Sequence, residues 1–445
     1  MAKFAVNSLD REIGRLAIPA LGALVAEPLY VLADTAVVGN LLGTDALAGL
    51  AVAGQTLLTV HAVMVFLAYG TTAAVSRLLG AGEMKQAAHQ AVQGLWLAAI
   101  AGVVLALVMW RFANPVLAIL GETDDGNADA VLTQARRYLL VSLWGLPAML
   151  LMLSGVGYLR GLQDTKRPLI VAVATAAFNL VLELILIVGF DFAIGASALA
   201  TVVAQWLGAL AYLVWIGRDV TSHGVRLSPD TREIARLIRV GGALFVRTVA
   251  LRGSFTVSVA AASRISTEAL AAHEIAFQFF IFTALILDAV AIAGQSMMGR
   301  YLGADDSEGA RLAAARVVRW GLIVGLAALV VFGAGAPFLP GLFTNDAAVA
   351  SLAVVAMIHL ALMQPLGGLV FALDGVLIGA GDMNFLAWAM ASAAAVFIPL
   401  ALLVPALDLG LGWLWGSMWV LMAVRAIGLV WRYRSDAWLV LGANS

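Results

Sequence analysis

Asp34 stands in the run Leu29-Tyr-Val-Leu-Ala-Asp-Thr-Ala-Val-Val-Gly39, with apolar residues on both sides. Such surroundings penalise an ionised carboxyl, so an acid kept there suits the uptake and release of a proton. Glu183 stands in Phe178-Asn-Leu-Val-Leu-Glu-Leu-Ile-Leu186, and Asn179 lies four residues before it, on the same face of a helix. If that face meets Asp34, the two acids share a proton and titrate as a pair. The carboxamide beside them would then hold a sodium ion or orient the acid. The competing reading of Glu183 is a hydrated carboxyl near the outer end of its segment. Glu27, directly before Pro28, lies roughly one to two helical turns from Asp34 and can line the same cavity. Pro19 should kink the helix that carries both acids.

The second half has its own charges in apolar context: Arg247, Arg252, Asp288 and Asp374, beside His273 and Glu274. Arg247 is near enough to the start of its segment to snorkel to the cytoplasmic interface. Arg252 is deeper and needs an acid, for which Asp288 or Asp374 is available, so the set reads as structural ion pairing. The histidines (His61, His89, His223, His273, His359) show no metal-ligand spacing and read as packing residues, so no metal is expected. No G-x-x-x-x-G-K-[ST] motif marks a nucleotide site. An intramembrane enzyme would need a Ser–His set or paired histidines beside a carboxylate, and none is present.

The elements that position these groups are apolar helices. Of 445 residues, 62% are hydrophobic and 12% charged, with a mean hydropathy of +0.98. Charges this sparse cannot cover a soluble globule, which excludes a soluble enzyme. Zero cysteines excludes a disulfide scaffold, and a net charge of −1 offers no basic surface to nucleic acid. Twelve stretches reach the roughly 20 residues that a spanning helix needs. They lie near 15–40, 47–76, 91–112, 135–157, 168–190 and 195–216, then 239–262, 269–298, 317–338, 350–376, 385–405 and 411–431. Most of the 26 Lys and Arg fall in alternate loops and at both ends, Arg425, Arg432 and Arg434 at the C-terminal end among them. The loop Gly121-Glu-Thr-Asp-Asp-Gly-Asn-Ala-Asp129 is acidic. The positive-inside rule then puts both termini in the cytoplasm of a plasma (inner) membrane protein, which requires an even number of spans.

The two halves are copies. Thr44–Gln55 matches Thr267–Gln278, and at the same offset Arg77-Leu-Leu-Gly-Ala81 matches Arg300-Tyr-Leu-Gly-Ala304. Pro147, Gly157, Gly161 and Asp164 fall in register with Pro365, Gly375, Gly379 and Asp382. The expected fold is an all-α integral membrane protein of twelve helices in two six-helix bundles, related by a pseudo-twofold along the membrane normal. The lobes would be 1–216 and 239–445. The connection 217–238 would carry an amphipathic helix starting near Asp230. This layout implies alternating access, driven by an ion gradient or a partner because no ATPase segment exists. Asp34 maps onto Phe255 or Val257, Glu183 near Ala401 and Pro19 onto Val240, so the scaffold is duplicated and these groups are not. The chemistry is expected in the first half.

Taken together the pieces resemble the multidrug and toxic compound extrusion (MATE) transporters, and among them the DNA-damage-inducible F subgroup. The resemblance rests on Glu27-Pro28, Asp34-Thr-Ala-Val-Val-Gly39, Arg77-Leu-Leu-Gly-Ala-Gly82 and Asn179-x-x-x-Glu183. Gly195-Ala-Ser-Ala-Leu-Ala-Thr201, Arg247-Thr248, Leu287-Asp288 and Gly299-Arg-Tyr-Leu-Gly-Ala304 extend it over nearly the whole chain. It implies a secondary antiporter that exports amphipathic, often cationic compounds in exchange for protons or sodium ions. The implied ion site is Asp34, Asn179, Glu183 and Thr201, with Pro19 as the bend of the first helix and Tyr30 beside the site. Glu183 departs from the usual Asp. The added methylene keeps the charge and alters the reach, which favours protonation over tight sodium coordination. Small amphipathic substrates and lipids are the expected partners, with no nucleic acid, obligate protein partner or cofactor beyond the coupling ion. The runner-up is a flippase for a lipid-linked precursor, which would need several arginines for a diphosphate.

Overall fold

A computed structural model of the chain describes residues 2–120, 128–190 and 193–443. The acidic loop at 121–129 falls almost entirely outside them. Fourteen α-helices follow one another among the described residues: α1 (Ala2–Leu41), α2 (Thr44–Met64), α3 (Phe66–Gly80), α4 (Met84–Leu120), α5 (Ala128–Ser142), α6 (Leu146–Gly161) and α7 (Lys166–Leu184), then α8 (Gly195–Ser222), α9 (Thr231–Ile265), α10 (Thr267–Gly303), α11 (Ser307–Gly335), α12 (Ala347–Gly379), α13 (Met383–Ala406) and α14 (Leu411–Arg434). α2 and α3 form one span, as do α5 and α6, which leaves twelve. Eleven are long and apolar enough to cross a bilayer by composition alone. The twelfth, α9, has the length and carries Arg236, Arg239, Arg247 and Arg252 as well.

Helices start where a side chain can satisfy the first free N–H groups. Asp346 accepts from the Ala348 and Val349 amides at 2.8 and 3.2 Å, and Asp306 from Gly309 at 2.8 Å. Asp230 accepts from Arg232 at 2.9 Å, which starts a helix where the sequence predicts one. That helix is not a separate amphipathic element, however. It runs on without a break as α9, through Gly241 and Gly242, because no Pro interrupts it.

The repeat recurs in packing. A Cβ on Gly157 would strike the Ala68 carbonyl, and one on Gly375 the Ala291 carbonyl, at equivalent positions of the two copies. Gly161 lies on Thr72 and Gly379 on Gln295, Gly102 on Pro147 and Gly325 on Pro365, again in register. Small residues let backbones touch where lipid offers no hydrophobic drive for helix association. The left-handed residues that close helices also recur: Gly82 (φ 74°) with Asp305 (φ 58°), and Gln163 (φ 62°) with Gly381 (φ 81°).

The chain forms two compact units. One comprises Gly22–Val75 and Glu83–Ile238, the other Met1–Leu21, Ser76–Gly82 and Arg239–Ser445. The short pieces of the first half that join the second unit are held there by charge. Asp10 takes a two-pronged bond from Arg316 and the Trp320 indole N–H at 2.8 Å, and Glu12 pairs with Arg300 at 2.8 Å. The Arg77 guanidinium donates to the Ala380 and Val440 carbonyls at 3.0 and 2.9 Å.

Candidate functional site

Within the first unit, three helices each present two polar side chains one turn apart: Tyr30 and Asp34 on α1, Asn179 and Glu183 on α7, Ser197 and Thr201 on α8. Side chains four apart in a helix share a face, and the three faces meet. Asp34, Asn179, Glu183 and Ser197 are each no more than 5% exposed. Tyr138 from α5 lies beside them and belongs to a buried apolar cluster with Val38 of α1, Leu50 of α2 and Ala198 of α8. The hydrated reading of Glu183 therefore fails: its residue is 0% exposed, because α7 turns it inward just before a π turn at Ile185–Gly189.

The hydrogen bonds run one way. Thr201 Oγ1 gives its only proton to the Ser197 carbonyl at 3.0 Å. It therefore accepts from Asn179 Nδ2 at 3.0 Å and from the Tyr30 hydroxyl at 2.7 Å. Ser197 Oγ donates to Asp34 Oδ1 at 2.6 Å. Glu183 lies beside Asp34 and Ser197, yet both its oxygens, and Asn179 Oδ1, are buried with no donor. Such a set is short of positive hydrogen. It is satisfied by a proton on a carboxyl or by a small cation, since acceptors buried without donors are costly.

The structure thus brings together Asp34, Asn179 and Glu183, which the residues themselves mark, with Thr201 and Tyr30, which the family resemblance implies. Ser197 and Tyr138 were not anticipated. The four-residue spacing used for Asn179 and Glu183 finds Ser197 when applied backwards from Thr201, whereas nothing in the sequence marks Tyr138. Glu27 lies earlier on α1, about half exposed, 3.7 Å from His61 Nε2 on α2. α1 runs as a single helix through Pro19 and Pro28.

Among the second-half charges, Arg247 and Arg425 share one acid. Asp374 Oδ2 receives Arg247 Nη2 at 2.7 Å and Arg425 Nη2 at 2.6 Å. Arg247 thus has a carboxylate partner on α12. Arg425, which the sequence places among the basic residues of the C-terminal end, is 4% exposed inside α14. Arg252 and Asp288 are each engaged by a neighbour. A small cavity lined by Leu386, Met390 and Leu429 adjoins the Arg247–Asp374–Arg425 cluster.

Comparison with known proteins bears on the family and the fold. The sequence pattern of the MatE family matches residues 19–185 and 244–403. The chain is 30% identical to Protein DETOXIFICATION 44, chloroplastic, of Arabidopsis thaliana, over 98% of this chain and 85% of that protein. It is 29% identical to DNA damage-inducible protein F of Escherichia coli (strain K12), over 97% of this chain and 95% of that protein. Its fold matches a crystal structure of MATE in the bent conformation with a TM-score of 0.88, at 22% identity and 98% coverage of both chains. The outward-facing conformation of a multidrug resistance MATE family transporter of the MOP superfamily matches with a TM-score of 0.86, at 22% identity over 97% of this chain and 96% of that one.

Proposed function

The chain belongs to the MatE family, and from that premise we propose that it exports small amphipathic, cationic organic compounds across the plasma membrane in exchange for protons. It is a multi-pass membrane transporter and not an enzyme. The observation that carries the coupling proposal is the buried group of Asp34, Asn179 and Glu183, short of hydrogen donors and walled from water. A site of that kind can exist with its acids ionised only while something positive is present.

In the proposed cycle the deprotonated acids make the first unit favourable to a lipophilic cation on the cytoplasmic side. A proton entering from outside removes one of the two charges, α1 bends at Pro19, the substrate cavity shrinks, and the substrate leaves. A cationic substrate is supported by the acid that Glu27 adds to α1, and drug export by relatives such as the probable multidrug resistance protein NorM of Thermotoga maritima. Both termini lie in the cytoplasm in this reading, as the basic loops require.

Sodium coupling is the second reading, favoured by the same three donor-free oxygens, which a bare cation would also satisfy. Vesicles separate the two. Export of a fluorescent cation driven by an imposed pH gradient without sodium, and abolished by a protonophore, is the expected result. Export that requires sodium and ignores the pH gradient would replace the proton with sodium and leave the antiporter.

A further inference from the structure

Asp34 and Glu183 differ in what they receive. Ser197 Oγ donates to Asp34 Oδ1 at 2.6 Å, whereas neither Glu183 oxygen has a donor. An O–H aimed at a buried carboxylate stabilises its charged form, and a buried carboxyl that receives nothing is better neutral. We infer that Glu183 carries the exchangeable proton, that Asp34 is the ionised member of the pair, and that Ser197 is the positioning residue that divides these roles.

Three observations hold Ser197 to this task. It is fully buried, so no water competes for its hydroxyl. Its carbonyl is taken by Thr201 Oγ1, which ties the segment to the Asn179 and Tyr30 bonds. Its hydroxyl also departs from the usual behaviour of hydroxyl residues in these helices. Thr35, Thr72, Thr175 and Ser254 each donate to the carbonyl four residues back, whereas Ser197 reaches across to α1. The titratable groups facing the pair are Tyr30 from α1 and Tyr138 from α5. α7 and α8 bring Asn179, Ser197 and Thr201, which do not titrate. Phenols are neutral near pH 7, so the division of charge falls to Asp34 and Glu183.

This assignment rests on the antiport reading for its meaning and not for its test. The full-length protein, purified and returned to lipid without substrate, is titrated by infrared difference spectroscopy of the protonated-carboxyl C=O stretch. The band should persist in Asp34→Asn and vanish in Glu183→Gln. Ser197→Ala added to Glu183→Gln should bring a band back, now from Asp34, because loss of one hydrogen bond to a charged group raises the Asp34 midpoint by about one to two pH units. Ser197→Thr in the same background, which keeps the hydroxyl, should leave the band absent. A band that vanishes in Asp34→Asn and survives in Glu183→Gln overturns the assignment, as does a Ser197→Ala/Glu183→Gln variant with no band. If the band behaves as expected while dye export ignores the pH gradient, the antiport reading fails and the assignment stands.

Discussion

A carboxylate in a membrane protein is tolerated only with a partner, and the two buried aspartates among the described residues have different partners. Asp34 meets a serine hydroxyl, and Asp374 meets two guanidinium groups. Their substitutions should therefore fail in different ways. Asp34→Asn keeps a carbonyl oxygen for Ser197, so the protein should insert and melt as wild type does and export no dye. Asp374→Asn leaves Arg247 and Arg425 facing a neutral amide. Loss of a buried ion-pair partner costs about 3–5 kcal/mol, so its melting temperature should fall clearly while the protein that remains folded still exports. Adding Arg425→Met to Asp374→Asn should recover part of the loss by removing one stranded charge. A normal melting curve with no export in Asp374→Asn would move the coupling site to the second half.

Between elements, helix contacts depend on places where no side chain intervenes. Gly157 and Gly375 lie against the Ala68 and Ala291 backbones at matching positions of the two copies. Alanine at either should force α6 from α3, or α12 from α10, and lower the yield of monodisperse protein on size-exclusion chromatography. Gly70 on α3 has no heavy atom within 4 Å of the space its Cβ would take. Gly70→Ala should be neutral or slightly stabilising, because alanine has the better helix propensity by about 1 kcal/mol. Equal damage from all three would mean that the glycines act through flexibility and not through close approach. α1 poses the opposite question. Pro19 lacks the N–H of a helical bond and so weakens the helix locally, while the structure shows α1 unbroken. Pro19→Ala should stiffen α1 and reduce dye export without moving the infrared midpoint of the carboxyl pair. A shifted midpoint would mean that Pro19 acts on the site itself.

Across the whole molecule, twelve spans fix which loops share a side. With both termini inside, a tag at Asn345 should react from outside intact cells, and tags at Asp164 and His223 only after the membrane is opened. All three positions lie in short connections between helices. Labelling of Asp164 or His223 in sealed cells would break the twelve-span topology. The ion pairs that join Asp10 and Glu12 to Arg316 and Arg300 bear on the same scale. They hold the start of α1 to the second unit, while Asp34, farther along the same helix, belongs to the first.

How much of this was legible in the chain follows from which quantities are local. Bilayer thickness is a length, and it is recorded directly in the runs of apolar residues, so the number of spans could be counted before any contact was known. α9 is the span whose composition is least apolar, because of its arginines, one of which Asp374 receives. The repeat was legible because the same glycines and turn residues serve equivalent contacts twice. Asp34, Asn179 and Glu183 stood out because a polar group in an apolar run is expensive and asks for a reason. Ser197, Tyr138 and Arg425 did not. Serine and tyrosine are unremarkable in a spanning helix, where a hydroxyl can always bond its own backbone, and Arg425 lies close enough to a helix end to pass for a loop charge. Composition, span length and the repeat were therefore set by the sequence itself, being properties of neighbours along the chain. Which polar group meets which was decided only by the tertiary structure, because Ser197 and Asp34 are 163 residues apart and only the packing of α8 against α1 brings a hydroxyl to one acid and leaves the other bare.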